Sequence, residues 1–362
     1  MFDLIVIGAG PAGSAAAITA AAGGARVLLL EKGRFPRHKV CGEFVSAESL
    51  GVLESLLGSH RLLQEAPRIF LTRLFVGNKE IEAPLDPPGA SVTRFDLDWA
   101  LWRAAEAKGV ETRSESTVLE IQGVGPFVVR ADNDQFEARA VINATGRWSN
   151  LSHGSLSSAQ NGWIGLKAHF AVPEPSNSVD LYFFDNGYCG VQPVSLNGSS
   201  ESVVNVCAMV RAEDATTVDD VFQLHAGLKD RSRRWRRCTP IVATAPLIFS
   251  DPSPIRNGIP QIGDAAGFVD PFIGDGISLA LRSGVMAANA LAAFLQDGKS
   301  LTAWCEEYDT HYRRELLPIH RNASRLRWIV NSPAFMRLPL FSLMAYPAVA
   351  RYVIGKSRGK VA

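Results

Sequence analysis

The chain has 362 residues, 47% of them apolar and 20% charged, with a formal net charge of +1. That length suffices for a large core and two lobes, and the near-neutral balance excludes a bulk electrostatic case for nucleic acid or acidic membranes. Its 5 cysteines (41, 189, 207, 238, 305) are odd in number and contain no C-x-x-C pair, which argues against a zinc site or disulfide framework and suits reduced thiols.

The chain opens on a strand-like run, FDLIVIG, without the basic segment and cleavage site of a signal peptide. No apolar run reaches transmembrane length, since LPLFSLMAYPAVARYVI is interrupted by Pro347 and Arg351. A cytoplasmic location is therefore expected. Residues 3–32 read as a strand, a tight glycine turn, an alanine-rich helix and a second strand ending in Glu31, one βαβ unit. Gly8, Gly10 and Gly13 form G-x-G-x-x-G within it. The first glycine allows the turn, the second lets backbone approach a pyrophosphate, and the third lets the helix pack on the strand. The helix N-terminus then offers free N–H groups and a positive dipole to the phosphates. Glu31 follows Gly13 by 18 residues; its carboxylate suits a ribose hydroxyl and would repel a 2′-phosphate. Dinucleotide binding is the expectation.

Further along, residues 44–64 are expected to be helical, with Leu50, Leu53, Leu56 and Leu57 on the apolar face. A second helix is expected over 96–109, with Asp96 as N-cap and Gly109 as terminator. The runs PLDPPGA (84–90) and DPSPIRNGIP (251–260) read as connections between lobes. EARAVINATG (137–146) is a strand running into a glycine turn. From about residue 150 to 245 the texture changes to short β-branched runs, GLKAHFAV, VDLYFFD, YCGVQPV and SVVNVCAMV, separated by polar turns. These predict an antiparallel sheet.

The stretch GDAAGFVDPFIGDGISLAL (263–281) selects the dinucleotide. Asp264, after Gly263, can accept from a polyol such as a ribityl chain, which NAD lacks. Gly274 and Gly276 let backbone lie against a flat ring, and a helix starting near Gly276 would aim N–H groups at the pyrimidine edge of a flavin. The expected cofactor is FAD, with no metal. The expected fold class is α/β: a discontinuous Rossmann-like FAD-binding domain (1–66, 90–150 and 246–300) with an inserted antiparallel β-rich substrate domain (67–89 and 151–245). Residues 301–362 form a C-terminal helical segment.

These motifs make the chain resemble the FAD-dependent oxidoreductases that include aromatic hydroxylases, flavin-dependent halogenases and geranylgeranyl reductases, and the resemblance extends to about residue 290. VTRFDLDWAL resembles the segment whose arginine contacts FAD, here Arg94, and NATGRWS the second nucleotide-contacting turn. PRHKVCGEFVS (36–46) resembles the segment beside the flavin in the geranylgeranyl reductase branch, where a cysteine precedes Gly-Glu. The resemblance and the motifs together assign Pro11, Ala12, Lys32, Arg37, Ala144, Thr145, Gly146, Pro271 and Ile277 to FAD, beside the glycines, Glu31, Arg94 and Asp264. Thr145-Gly146 stands where NADPH-dependent hydroxylases carry Asp-Gly. Of the aromatic-x-aromatic-x-x-Pro stretch of the reductases, only Tyr188 and Pro193 remain, and both tryptophans of the halogenase motif are absent.

The resemblance implies an enzyme acting on a lipophilic isoprenoid or polyketide-like substrate, free or carrier-bound, by hydride transfer at a carbon–carbon double bond. Flavin-dependent monooxygenation or halogenation by oxygen activation at C4a, and electron transfer to a partner protein, stand as alternatives. The electron donor (NADPH, NADH, ferredoxin or a flavin reductase) has no motif of its own. Cys41 and Tyr188 are the residues expected to face the reaction. Cys41 has three readings: a packing residue, a proton donor or modulator favoured as thiolate by Arg37, His38 and Lys39, or a covalent flavin attachment point. Glu43 either caps the following helix or hydrogen-bonds near the isoalloxazine. His169 is expected to be a core or pocket-wall residue and Lys79 a solvated turn residue. The basic run KDRSRRWRRC (229–238) is expected to be a solvated helical face, or a dock for an acidic carrier or a cofactor phosphate. The apolar and basic C-terminal stretch is expected to pack on the core or touch a membrane peripherally.

Overall fold

A computed structural model describes residues 1–132, 134–147, 151, 162–174, 176–196 and 201–330, with positions 339, 343, 346 and 349. Its strands are β1 (Phe2–Ile7), β2 (Val27–Leu30), β3 (Phe44–Val45), β4 (Arg68–Val76), β5 (Lys79–Ser91), β6 (Glu111–Arg113), β7 (Val118–Gln122), β8 (Phe127–Ala131) and β9 (Asp134–Asn143). After residue 161 come β10 (Trp163–Ala171), β11 (Ser178–Phe184), β12 (Gly187–Val194), β13 (Val203–Arg211), β14 (Arg236–Arg237), β15 (Val242–Thr244), β16 (Ile255–Arg256) and β17 (Ile259–Pro260). The helices are α1 (Pro11–Ala22), α2 (Ala47–Leu57), α3 (Arg61–Gln64), α4 (Arg94–Ala107), α5 (Val218–Gln223), α6 (Ala226–Ser232), α7 (Gly276–Gln296), α8 (Leu301–Glu315) and α9 (Leu317–Val330).

One sheet runs β6-β2-β1-β9-β8-β7. Its first four strands pair in parallel and the β7–β9 meander is antiparallel. The strands β1 and β2 are almost wholly apolar because both faces are covered, as parallel sheets require. α1 packs between this sheet and α7, and the approach is set by small residues: a Cβ on Gly284 of α7 would lie 2.2 Å from the Ala12 carbonyl oxygen. The second sheet runs β14-β10-β13-β12-β11-β4-β5-β3. It is antiparallel except for the parallel β11–β4 pair. α5 and α6 cover its outer face through Val218, Val221, Phe222 and Leu228. The inner face turns toward the first sheet and its glycine turn.

Several local expectations are corrected. The segment 44–64 is not one helix: Phe44 and Val45 pair with β5, and α2 begins after Ser46 and ends at Gly58, whose φ of 67° suits glycine. α4 begins earlier than expected, because Thr93 rather than Asp96 is the N-cap; its hydroxyl oxygen accepts from Asp96 N at 3.1 Å. Residues 84–90 lie within β5, where the register slips between Ile69 and Leu71 of β4; that irregularity accommodates the prolines. The run 229–238 is not one helical face: α6 stops at Ser232, and Arg231 turns inward to Asp180 and to Tyr182 Oη at 2.8 Å. Residues 331–338 and 350–362, with most of 339–349, lie outside the described residues, so the C-terminal membrane expectation does too.

α8 and α9 close the domain through a polar interior. Tyr308 donates to the Gln261 carbonyl at 2.8 Å, and Tyr312 Oη lies 3.0 Å from His320 Nε2. Burial pulls the His320 pKa down to about 4 from the ordinary imidazole value of 6.5. The unfolded chain then binds more protons than the folded one between those values, so the folded state loses stability as pH falls through that window. His320→Gln, which keeps a polar partner for Tyr312 and cannot titrate, is expected to match wild type near neutral pH and exceed it at about pH 5. Urea midpoints at both pH values read this directly; a constant difference would contradict it.

Candidate active site

A cavity of about 560 Å³ runs from the glycine turn of the first sheet to the inner face of the second. Every residue assigned to FAD lines it except Gly13, and Tyr188 lines it too. Gly13 stands behind the wall, where a Cβ would fall 1.8 Å from the Gly8 carbonyl oxygen, so its part is to let α1 pack on the turn. Gly8 has φ of 103°, and a Cβ there would lie 2.3 Å from Ala144 O. At Gly10 the nearest atom to an added Cβ is Arg94 Nη2 at 3.8 Å, so that glycine opens onto the cavity. The N-termini of α1 (Pro11, Ala12) and α7 (Gly276, Ile277) both reach the same wall and present their positive ends to it.

Glu31 is already engaged within the chain. Its oxygens accept from Ala9 N and Gly33 N, both at 2.9 Å, and pair with Arg37 Nη1 at 2.7 Å. Burial alone would raise its pKa; the Arg37 guanidinium and the two N–H groups hold it below the ordinary carboxylate value. A ribose hydroxyl reaching Glu31 would share it with Arg37. Arg37 keeps a buried Nε with no partner among the described residues, as do His38 at Nδ1 and Arg147 at Nη1, and all three residues line the cavity. Thr145 is fixed from behind: Asn143 Oδ1 accepts from its amide and its hydroxyl at 3.1 and 2.7 Å, and Asn143 in turn donates to Gln261. Unpaired donors, helix N-termini and glycines without room for a Cβ together fit a long anionic dinucleotide such as FAD.

The segment 36–46 crosses from one sheet to the other along the cavity. Val40 covers Gly165 of β10, and Asn205 of β13 donates to the carbonyls of Cys41 and Gly42 at 3.1 and 2.8 Å. Glu43 adopts a left-handed φ of 62° and is fully buried. Its carboxylate pairs with Lys167 Nζ, lies 2.8 Å from His169 Nε2, and accepts from Arg94 N at 2.7 Å. Glu43 therefore caps α4, not the α2 helix that follows it in sequence. Burial would raise its pKa, yet the adjacent Lys167 ammonium and His169 ring keep it below the ordinary value. His169 Nδ1 and N both meet Thr239 Oγ1, at 3.2 and 3.0 Å. That hydroxyl accepts from the amide, and the Glu43 carboxylate, which can only accept, takes a hydrogen bond from His169 Nε2–H.

Cys41 lines the cavity, and its sulfur accepts from Glu43 N at 3.3 Å. The cation that Cys41 acts on is Arg94, not Arg37, His38 or Lys39. Arg37 is taken by Glu31, His38 packs at a tilt against Phe95, and burial followed by the Arg37 charge lowers the Lys39 pKa. Arg94 is itself clamped by Asp98 at 2.7 and 2.8 Å; burial opposes its charge, but Asp98 and Cys41 raise its pKa overall. Lys167 was not singled out from the sequence. The signal was present: Lys167 and His169 alternate with Leu166, Ala168 and Phe170 on a buried strand, and two titratable groups on one face imply a buried partner.

Beyond Cys41 the wall becomes apolar, with Leu74, Val179, Leu181, Met209, Leu247 and Phe272 among its lining. Tyr188 packs edge-on to Phe272 at 5.8 Å and is buried. Burial, then the nearby Asp270 charge, raises its phenol pKa well above the ordinary value, so it remains a neutral donor. Lys79 is exposed at the start of β5, away from the cavity lining.

Residues 3–147 match the family described as FAD dependent oxidoreductase. The chain is 27% identical over 345 residues to digeranylgeranylglycerophospholipid reductase 1 of Methanothermobacter thermautotrophicus, covering 87% of this chain and 83% of the relative. It is 27% identical over 322 residues to the menaquinone reductase of Mycobacterium tuberculosis, covering 80% and 76%. Among solved structures it is similar to the flavin-dependent brominase Bmp2, with a TM-score of 0.80 at 21% identity over 98% of this chain and 93% of that one. It also resembles the myxobacterial chondrochloren halogenase CndH, with a TM-score of 0.73 at 24% identity over 99% and 90%. At these identities the solved structures establish the shared fold.

Proposed function

Starting from an FAD-dependent oxidoreductase related to the digeranylgeranylglycerophospholipid reductases and flavin-dependent halogenases, we propose that this chain reduces carbon–carbon double bonds in a lipophilic substrate. An isoprenoid or polyketide-like acceptor, free or carrier-bound, suits the cavity. The observation that carries this reading is the continuity of that cavity: a dinucleotide cradle at one end, an apolar sheet face at the other, and Cys41 between them. Bound FAD supplies hydride transfer. The two helix N-termini and the glycine turn orient it, while the apolar face excludes water from an extended hydrocarbon. Hydride delivery to one carbon of a double bond requires a proton at the other. We assign that proton to Tyr188 or to the Cys41 thiol, both of which line the cavity.

An oxygen-dependent reading, monooxygenase or halogenase, is favoured by the likeness to the brominase fold. It is weakened because the lysines lining the cavity, Lys32 and Lys39, both belong to the nucleotide side among the described residues. We place the protein in the cytoplasm, meeting its substrate at a membrane surface or on a carrier, with electrons from NADPH, NADH, ferredoxin or a separate flavin reductase. Mass spectrometry of prenyl and polyketide acceptors after incubation with the FAD-loaded, chemically reduced protein tests the proposal. Gain of two hydrogen atoms is the expected product; gain of oxygen or halogen, only in air, would assign the other chemistry.

A further inference from the structure

Three arginines line the cavity: Arg37, Arg94 and Arg147. Two are matched, Arg37 by Glu31 at 2.7 Å and Arg94 by both oxygens of Asp98. Arg147 is not. Its nearest carboxylate is Asp264, at a loose 3.6 Å from Nε, and its buried Nη1 has no hydrogen-bond partner among the described residues. The guanidinium lies 4.1 Å over the ring of Phe268, which packs against the apolar cluster holding Tyr188, Leu74 and Leu247. Its polar neighbours are the Asp264 carboxylate and the thiols of Cys207 and Cys41, which places it at the junction between the two ends of the cavity. Burial outweighs these neighbours and lowers its pKa, the direction expected of a cation that lacks a full counter-charge.

We propose that Arg147 is an anion receptor at the junction, taking either a carboxylate or phosphate on the lipophilic substrate or the negative charge of the reduced cofactor. A planar guanidinium half-matched by Asp264 and seated on an aromatic ring gains a charge-assisted hydrogen bond when an anion reaches Nη1. A neutral hydrocarbon leaves that donor buried and unpaired, which is costly. Discrimination for an acidic over a neutral acceptor of the same shape follows from the same asymmetry. The inference rests on the FAD reading above.

The test uses full-length, FAD-loaded wild type, Arg147→Met and Arg147→Lys. The midpoint potential of the bound flavin and the affinity of its sulfite adduct report a cation that stabilises cofactor negative charge, independently of turnover. KM for a prenyl acceptor bearing a carboxylate or phosphate, set against its neutral ester, reports a cation that binds substrate. If the cofactor is the source, Arg147→Met lowers the potential and weakens sulfite binding about tenfold or more, with Arg147→Lys between. If the substrate is the source, both flavin readouts stay put while KM for the acid alone rises about tenfold or more. Potential, sulfite affinity and both KM values unchanged in both variants would overturn the proposal. Should Arg147→Met fail to hold FAD, the same readouts on Arg147→Lys decide it, since lysine keeps the charge and loses the planar fork. Wild type that takes up no FAD would instead fail the underlying reading.

Discussion

Lys167→Met is expected to destabilise the fold by about 3–5 kcal/mol, the cost of leaving a buried charge without its partner. Glu43 and Lys167 are both essentially excluded from solvent. The remaining partners of Glu43 are His169 Nε2 and the Arg94 amide, which satisfy lone pairs but do not replace the lysine ammonium. The Lys167 ammonium also donates to Lys39 O at 3.2 Å, so the substitution frees the segment before Cys41 as well. Adding Glu43→Gln should recover most of the loss, because glutamine still accepts from Arg94 N and His169. Urea unfolding of the two single variants and the double variant closes the cycle. A double variant as unstable as the sum of the singles would show that the pair does not act as an ion pair.

Gly8→Ala should be the more damaging change for function. The position combines a φ of 103° with a Cβ placed 2.3 Å from the Ala144 carbonyl, so the turn must move away from β9. Strain of about 1–3 kcal/mol at the cradle translates into FAD affinity weakened roughly ten- to hundredfold. Gly51→Ala is the matched control: it lies within α2 with nothing within 4 Å of an added Cβ, and is expected to stabilise by about 0.5–1 kcal/mol. Fluorescence titration of the FAD-free proteins with FAD measures both. Equal affinities for Gly8→Ala and wild type would contradict the assignment of the turn to the cofactor.

What the sequence made legible was local. The βαβ unit and its glycines announce themselves through spacing, and the strands of 163–211 through β-branched runs, because both signals span few residues. The run 84–90 misled because prolines usually break sheets, and only the slip against Ile69 and Leu71, which the chain order does not reveal, lets a strand carry them. The expected cap of α4 was Asp96, and Thr93, three residues earlier and an equally good capping type, takes the role instead. The role of Glu43 was harder. Its partners lie 124 and 126 residues away, and Arg94 51 residues away, so no window of sequence contains the cluster. Cys41 was recognised from its flanking Gly-Glu, but its cation proved to be Arg94 on another element rather than the basic residues beside it. Arg147 sits within NATGRWS, the stretch that resembles a nucleotide-contacting turn, but its lack of a full counter-charge emerges only when the charges around the cavity are matched one by one.

In the proposed reaction one cavity holds FAD against a lipophilic acceptor and hydride passes between them. Its most direct test is photoreduction of the FAD-loaded protein under argon, followed by mixing with a prenyl or polyketide acceptor while the flavin absorbance is recorded. The oxidised flavin spectrum is expected to return without oxygen, with one saturated bond formed per flavin reoxidised. A flavin that stays reduced with every such acceptor, and reoxidises only when oxygen is admitted, would contradict it.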